Sequence, residues 1–371
     1  MIRIFSEDDN SGVLIENQVT DKNVVVLFPM TRGKETNLFR WEKLITTVNI
    51  SKVAALVLID KTPGHQASDY FVQMEREILS NLFIIQRPRI EPTHDSQSLV
   101  RLKNGLWIIQ MHDDDDWEGT LEIPEKTNEN AVIRTNFSLV NNGVNINITD
   151  QNWPDCRSIF SLLPANVWNR FADLICEQGG HVAGSIDSSL HVAVSLIRPS
   201  IIDSKFRYFY DNRHWESRKR SKQHLVQLTK EDGWGQFATV EMSLVSRAID
   251  GIASLIFFSD LYTEFDFKMQ IEKWIQTTKP HPLRIYLSRI KILCLVLTKK
   301  ILGVSSKQFL RNLRENCNNN IFYQKILVST WEATKIEDFL KIVEALLKLQ
   351  SLPKLQARFG FWDRQLKKKC T

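Results

Sequence analysis

The chain has 371 residues, 43% hydrophobic and 25% charged, with a net charge of +5. This ordinary globular composition excludes collagen-like, disordered and disulfide-scaffold classes, and the length suggests two domains. Five cysteines (Cys156, Cys176, Cys294, Cys317, Cys370) are odd in number, scattered and without C-x-x-C spacing, which speaks against a disulfide framework or zinc site and fits a reducing compartment.

Met1 to Asn10 carries Glu7, Asp8 and Asp9 and has no apolar segment, unlike a signal peptide. No stretch approaches the ~18 apolar residues of a membrane span, so a cytoplasmic protein is expected. Ile2 to Phe5 and Val13 to Ile15 read as a hairpin around Asp9-Asn10-Ser11-Gly12. Val24 to Phe28 is an apolar, β-branched run ended by Pro29. Lys34 to Val48 then sets Leu38, Trp41, Leu44, Ile45 and Val48 at helical spacing. Val53 to Ile59 is a second buried strand, ending at Asp60. The pattern continues with a helix over Tyr70 to Leu79, a strand over Leu82 to Ile85, a short helix over Ser98 to Lys103, and a strand from Leu106 to Met111.

Apolar strands alternating with amphipathic helices predict a mostly parallel α/β sheet covered on both faces. Ligands of such sheets sit beyond the carboxyl ends of the strands. Three segments stand there: Pro29-Met30-Thr31-Arg32, Asp60-Lys61-Thr62, and His112 to Trp117. From Ala131 to Leu163 the period falls to two, and Asn141-Asn142-Gly143 is a hairpin turn signal, so an antiparallel ribbon is expected. Helices follow, over Ala165 to Cys176, Ser188 to Ile197, Phe237 to Phe258 and most of the chain from Phe265 onward. The expected division is a catalytic domain over 1–215 and a mostly helical, basic domain over 216–371.

His112-Asp113-Asp114-Asp115-Asp116-Trp117 carries the most chemistry. Adjacent carboxylates repel one another unless solvated or bound to a cation. Mg2+ and Mn2+ take few protein ligands, mainly carboxylates, and leave positions for phosphate oxygens. The alternative is an acidic surface turn, which rarely lies between a buried strand and a Trp.

The segments Val24 to Arg32, Leu56 to Asp60 and Trp107 to Trp117 resemble the GT-A fold of nucleotide-sugar glycosyltransferases, and more narrowly the family-two-type bacterial enzymes that build surface polysaccharide. The resemblance spans roughly Val24 to Arg213. It implies a Rossmann-like, mostly parallel sheet with an antiparallel ribbon, and a D-x-D motif. Donor contacts would come from Pro29, Thr31, Arg32, Asp60, Asp113 and Asp114. Asp113 and Asp115 would serve a divalent metal, Mn2+ or Mg2+, in the register that aligns Trp117 with the family aromatic. Asp116 and His112 would stand beside them. The chain departs from the family at Asp60-Lys61-Thr62-Pro63, where Asp-Asp-Gly-Ser is usual, and it lacks the Tyr of the first turn.

By the same resemblance, the general base of an inverting transfer falls on Asp187, in the glycine-bearing segment Gly179 to Leu190. An Asp before an amphipathic helix is equally suited to capping it. His181 and His191 flank this site. Tyr208 to Arg220, aromatic and then basic, reads either as a mobile loop that brings Arg213 and Trp215 over the diphosphate or as a solvated linker.

From Leu261 to Thr371, 21 Lys and Arg face 9 Asp and Glu, against a net −7 in the rest of the chain. The basic residues follow helical periodicity and form no arm, so nucleic acid is not the expected partner. Phe359, Phe361, Trp362 and Leu366 precede Lys367 to Lys369, a combination suited to peripheral contact with an anionic membrane. Packing within the domain, or homo-oligomerisation, accounts for the same apolar surface. The expected partners are a nucleotide-sugar donor and a saccharide or lipid-linked acceptor. The competing readings are a nucleotidyltransferase, disfavoured because Gly33 is the one glycine after the first strand, and a non-enzymatic scaffold.

Overall fold

The computed structural model describes residues 2–16, 21–89, 96–124, 127, 132–141, 144–147, 161–178, 200–211, 252–254, 256–261, 269, 335–347 and 353–370. The chain divides into two compact units, Met1–Glu216 and Ser217–Thr371.

The first unit is mixed α/β, as its strand and helix patterns predict. Its described strands are β1 (Ile2–Phe5), β2 (Val13–Ile15), β3 (Val24–Met30), β4 (Val53–Asp60), β5 (Asn81–Gln86), β6 (Val100–Leu102), β7 (Trp107–Gln110), β8 (Asp116–Gly119), β9 (Val132–Asn141), β10 (Val144–Asn147), β11 (Ser161–Pro164) and β12 (Ser200–Asp211). The main sheet runs β1-β5-β4-β3-β7-β11-β9-β12-β8, with β10 on β9. From β1 to β7 every pair is parallel, whereas β11 runs antiparallel to both β7 and β9. Every residue of β3 and β4 is buried, as expected for parallel strands covered on both faces.

Helix α1 (Lys34–Ile50) crosses from β3 to β4 and buries Trp41, Leu44, Ile45 and Val48, each worth about 1.5–3 kcal/mol when taken out of water. Trp41 meets Tyr70 and Phe71 of helix α2 (Gln66–Gln73) at ring distances of 5.4 and 6.1 Å. Pro29 extends β3 rather than ending it. The Leu27 carbonyl accepts from Met111 of the β7 side, and the Met30 carbonyl accepts from Lys61 of the β4 side. By that alternation Pro29 faces β7, where it has no N–H to give. The β3–β7 ladder stops at Leu27, and the chain after β7 is released into the acidic turn.

Three local expectations are corrected. No hairpin joins β1 and β2: β1 adds to β5, while β2 pairs in parallel with β6 in a separate sheet. Arg87 draws the chain between them away by binding the carbonyls of Glu7 and Asp9 at 2.5 and 2.7 Å. The helix expected over Ser98 to Lys103 is strand β6, because Val100 and Leu102 are buried on either side of the more exposed Arg101, a period of two. The helix expected over Tyr70 to Leu79 begins at Gln66 and stops at Gln73, followed by a 3-10 turn over Glu75–Glu77. It starts early because Thr62 Oγ1 accepts the Ala67 N–H and Asp60 accepts the Ser68 N–H.

The ribbon forms, with Asn141 opposite Val144 on β9 and β10; Asn142 and Gly143 lie outside the described residues. Helix α3 (Ala165–Gln178) follows β11 directly. Tyr208 to Asp211, read as the start of a loop, belongs to β12, which pairs with β9 and β8. Phe206 and Tyr208 are both buried, the alternation of a strand with one inward face.

In the second unit, helices α4 (Ile336–Leu347) and α5 (Pro353–Cys370) pack together. Lys367 joins them, 3.2 Å from Glu344 and 2.9 Å from Asp363, and its hydrogen bonds to Asp363 and Glu344 raise its pKa. Phe361, Trp362 and Leu366 are buried, so these three side chains face protein. Among the described residues no helix is long and apolar enough to cross a membrane.

Candidate functional site

The turn that leaves β7 gives its four carboxylates four different environments. Asp113 is buried and turned back toward the end of β3. Its Oδ2 accepts the backbone N–H groups of Thr31 at 2.7 Å and Arg32 at 2.9 Å. The Thr31 hydroxyl and the Asn37 amide also approach it, at 3.3 Å each. Burial raises the Asp113 pKa, against the lowering effect of the Thr31 and Arg32 amides.

Asp114 is partly exposed and pairs with Arg32 Nη2 at 3.3 Å. Asp115 is 1% exposed, and its Oδ2 accepts the Tyr208 hydroxyl at 2.8 Å. Asp116 opens β8, is about half exposed and pairs with Lys43. Asp113 and Asp116 thus turn away to their own partners, while Asp114 and Asp115 keep carboxylate oxygens within 4.8 Å of each other.

Helix α1 holds this turn along its length. Asn37 donates to the Asp113 carbonyl at 2.9 Å, and Arg40 Nε donates to the Asp115 carbonyl at 3.0 Å. Lys43 reaches Asp116, and Thr47 Oγ1 accepts the Trp117 indole N–H at 3.0 Å. Spacings of three and four place these side chains on one helix face. Trp117 is fully buried, edge-on to Phe28 at 5.7 Å, and anchors the far end.

Ligand atoms of His112, Asp114 and Asp115 all lie within 4.8 Å of one another. His112 Nδ1 is 3.8 Å from Asp115 Oδ2, and His112 Nε2 is 2.7 Å from Gln110 Nε2. Two carboxylates and an imidazole form a donor set that suits a divalent first-row ion such as Mn2+. Asp115 belongs to this group, whereas Asp113 is turned toward amide groups. His112 and Asp114 complete the group instead.

Of the remaining expected residues, Thr31 and Arg32 are held to the turn by Asp113 directly after Met30, and Pro29 lies within β3. Asp60 lies at the adjacent strand end, fully buried. It accepts the N–H and hydroxyl of Thr62 at 2.9 and 2.6 Å, and those of Ser68 at 2.7 and 2.5 Å. These four bonds match the acceptor capacity of a carboxylate, so Asp60 orders its own loop. His65, in that loop, has a left-handed φ of 54° and sits 2.9 Å from Glu7. Asp187, Arg213, Trp215, His181 and His191 lie outside the described residues, as do the helix expected over Ser188 to Ile197 and most of the helices expected after Phe237.

Asn37, Arg40, Lys43, Thr47 and Tyr208 were not legible as site residues. The available signal was the polar stripe of Asn37, Arg40 and Lys43 beside the apolar face of α1, which a reading of amphipathicity assigns to solvent. Asn37 is fully buried.

No family model matches the chain, and no curated protein matches it by sequence. Among solved structures, the crystal structure of S. aureus TarS 1–349 is 12% identical at a TM-score of 0.37, covering 71% of this chain and 82% of that one. S. aureus TarS is 11% identical at a TM-score of 0.35, covering 71% and 50%. TarS 1–349 in complex with UDP is 10% identical at a TM-score of 0.44, covering 94% and 91%. Likeness at this level assigns no activity.

Proposed function

We propose that the chain is a glycosyltransferase that takes a nucleotide-sugar donor at the carboxyl end of its parallel sheet, with Mn2+ or Mg2+ as cofactor. The observation that carries this reading is the convergence of His112, Asp114 and Asp115 within 4.8 Å, beside the Thr31–Arg32 segment that ends β3. Strand ends of open α/β sheets are where ligands bind.

His112, Asp114 and Asp115 are the residues to hold the cation, and Asp113 fixes the turn against the backbone of Thr31 and Arg32. When bound, a divalent cation supplies charge stabilisation for a departing nucleoside diphosphate. Arg32, whose fork of donors suits phosphate, is close enough to Asp114 to serve the same group. In the inverting reaction that the motif resemblance implies, Asp187 takes the proton of the acceptor hydroxyl as its oxygen bonds to the anomeric carbon. In the same step the bond from that carbon to the diphosphate oxygen breaks, and the nucleoside diphosphate leaves with the electron pair. Arg213 and Trp215 are placed by sequence to cover the donor, and the acceptor is a saccharide or a lipid-linked saccharide.

Calorimetric titration of the full chain with UDP and with GDP, each with and without Mn2+, tests the reading. Saturable binding of one nucleotide that requires Mn2+ is the expected result. Absence of binding by both, with Mn2+ present, would overturn it.

A further inference from the structure

Tyr208 reaches the candidate cation site from the antiparallel part of the sheet. It lies on β12, opposite Trp117 of β8 and Phe137 of β9, and it is fully buried. Its hydroxyl accepts the backbone N–H of His112 at 2.9 Å and donates to Asp115 Oδ2 at 2.8 Å. A phenol has a single proton, and an amide N–H can only donate, so the direction of both bonds is fixed.

One hydroxyl thereby ties two members of the His112–Asp114–Asp115 group. Its Asp115 bond sets the carboxylate, and its His112 bond sets the backbone from which the imidazole projects. Tyr208 and Asp115 are 93 residues apart in sequence, and the pairing of β12 with β8 brings them together.

We infer that Tyr208 is a positioning residue for the divalent-cation site, holding Asp115 and His112 in the arrangement that a cation needs. This rests on reading the cluster as a cation site. Groups that hydrogen-bond to metal ligands typically change metal affinity by about 10- to 100-fold.

Mn2+ titration of the full chain, followed by electron paramagnetic resonance without nucleotide, tests the inference. Tyr208→Phe removes the hydroxyl and keeps the ring, and Mn2+ affinity should fall about 10- to 100-fold while the circular dichroism spectrum is retained. Phe206→Leu perturbs packing on the same strand without touching the hydroxyl and should leave affinity unchanged. Should Tyr208→Phe unfold in buffer, all variants are titrated in sucrose, which favours the compact state.

Wild-type affinity in Tyr208→Phe, or an equal loss in Phe206→Leu, overturns the positioning role and leaves the cation site standing. Failure of the unaltered chain to bind Mn2+ overturns the cation site itself.

Discussion

Asp113 and Thr31, 82 residues apart, meet through a 2.7 Å bond from the Thr31 backbone N–H to the Asp113 carboxylate. This bond fastens the turn after β7 to the turn after β3, the two places where a parallel sheet presents its ligand-binding ends. The partner is a buried carboxylate whose pKa is raised chiefly by desolvation.

The sign of that shift gives a stability prediction. An acid whose folded pKa exceeds its unfolded value binds more protons when folded, so stability falls as pH rises. For Asp113 the fall spans the interval from the ordinary Asp pKa up to the raised folded value. Asp113→Asn keeps an acceptor for the Thr31 and Arg32 amides and removes the titration. Urea unfolding across that interval should show a smaller decline with pH in Asp113→Asn than in the unaltered chain. Parallel pH profiles would show that the carboxylate is not desolvated in solution.

The unbroken apolar runs that became β3 and β4 made the parallel half of the sheet legible, because such runs between amphipathic helices have few other solutions. The acidic turn was legible as a location and not as an arrangement. Four identical residues carry no sequence signal of which one faces amides, which faces Tyr208 and which faces Lys43. Those differences come from α1 and β12, whose polar contacts look like solvent-facing or loop residues when read along the chain. Asp60 was legible as a strand-end carboxylate, but its four bonds to Thr62 and Ser68 were not, because they depend on how the following loop folds back.

Asp115→Ala should abolish Mn2+-dependent nucleotide binding while the fold survives. Asp115 carries one oxygen toward Tyr208 and contributes a ligand atom to the His112–Asp114–Asp115 group. Calorimetry with the nucleotide that the unaltered chain binds provides the measurement. Undiminished affinity in the variant would remove Asp115 from the site.

Gly119 is fixed by backbone geometry where β8 meets β12. Its φ is +94°, and a Cβ there would lie 1.8 Å from the Lys205 carbonyl oxygen. That carbonyl also accepts the Thr120 N–H at 3.2 Å, so it has little freedom to withdraw. Gly119→Ala should lower stability by roughly 1–3 kcal/mol, the usual scale for overpacking, with left-handed strain added to it. A urea midpoint equal to that of the unaltered chain would mean that β8 and β12 do not approach this closely.

Asp187 is the residue whose role rests most on the motif resemblance, and its chemistry separates two outcomes cleanly. A general base must come within about 2.6–3.2 Å of the acceptor hydroxyl, directly or through one water, and typically contributes about 100- to 10,000-fold to rate. Asp187→Asn keeps the size of the side chain and most of its helix-capping capacity but removes the basic carboxylate. Turnover, followed as release of nucleoside diphosphate in the presence of acceptor, should fall by about that factor, with Mn2+-dependent nucleotide affinity unchanged. Retained turnover with lowered stability would instead identify Asp187 as a helix cap and send the search for the base elsewhere.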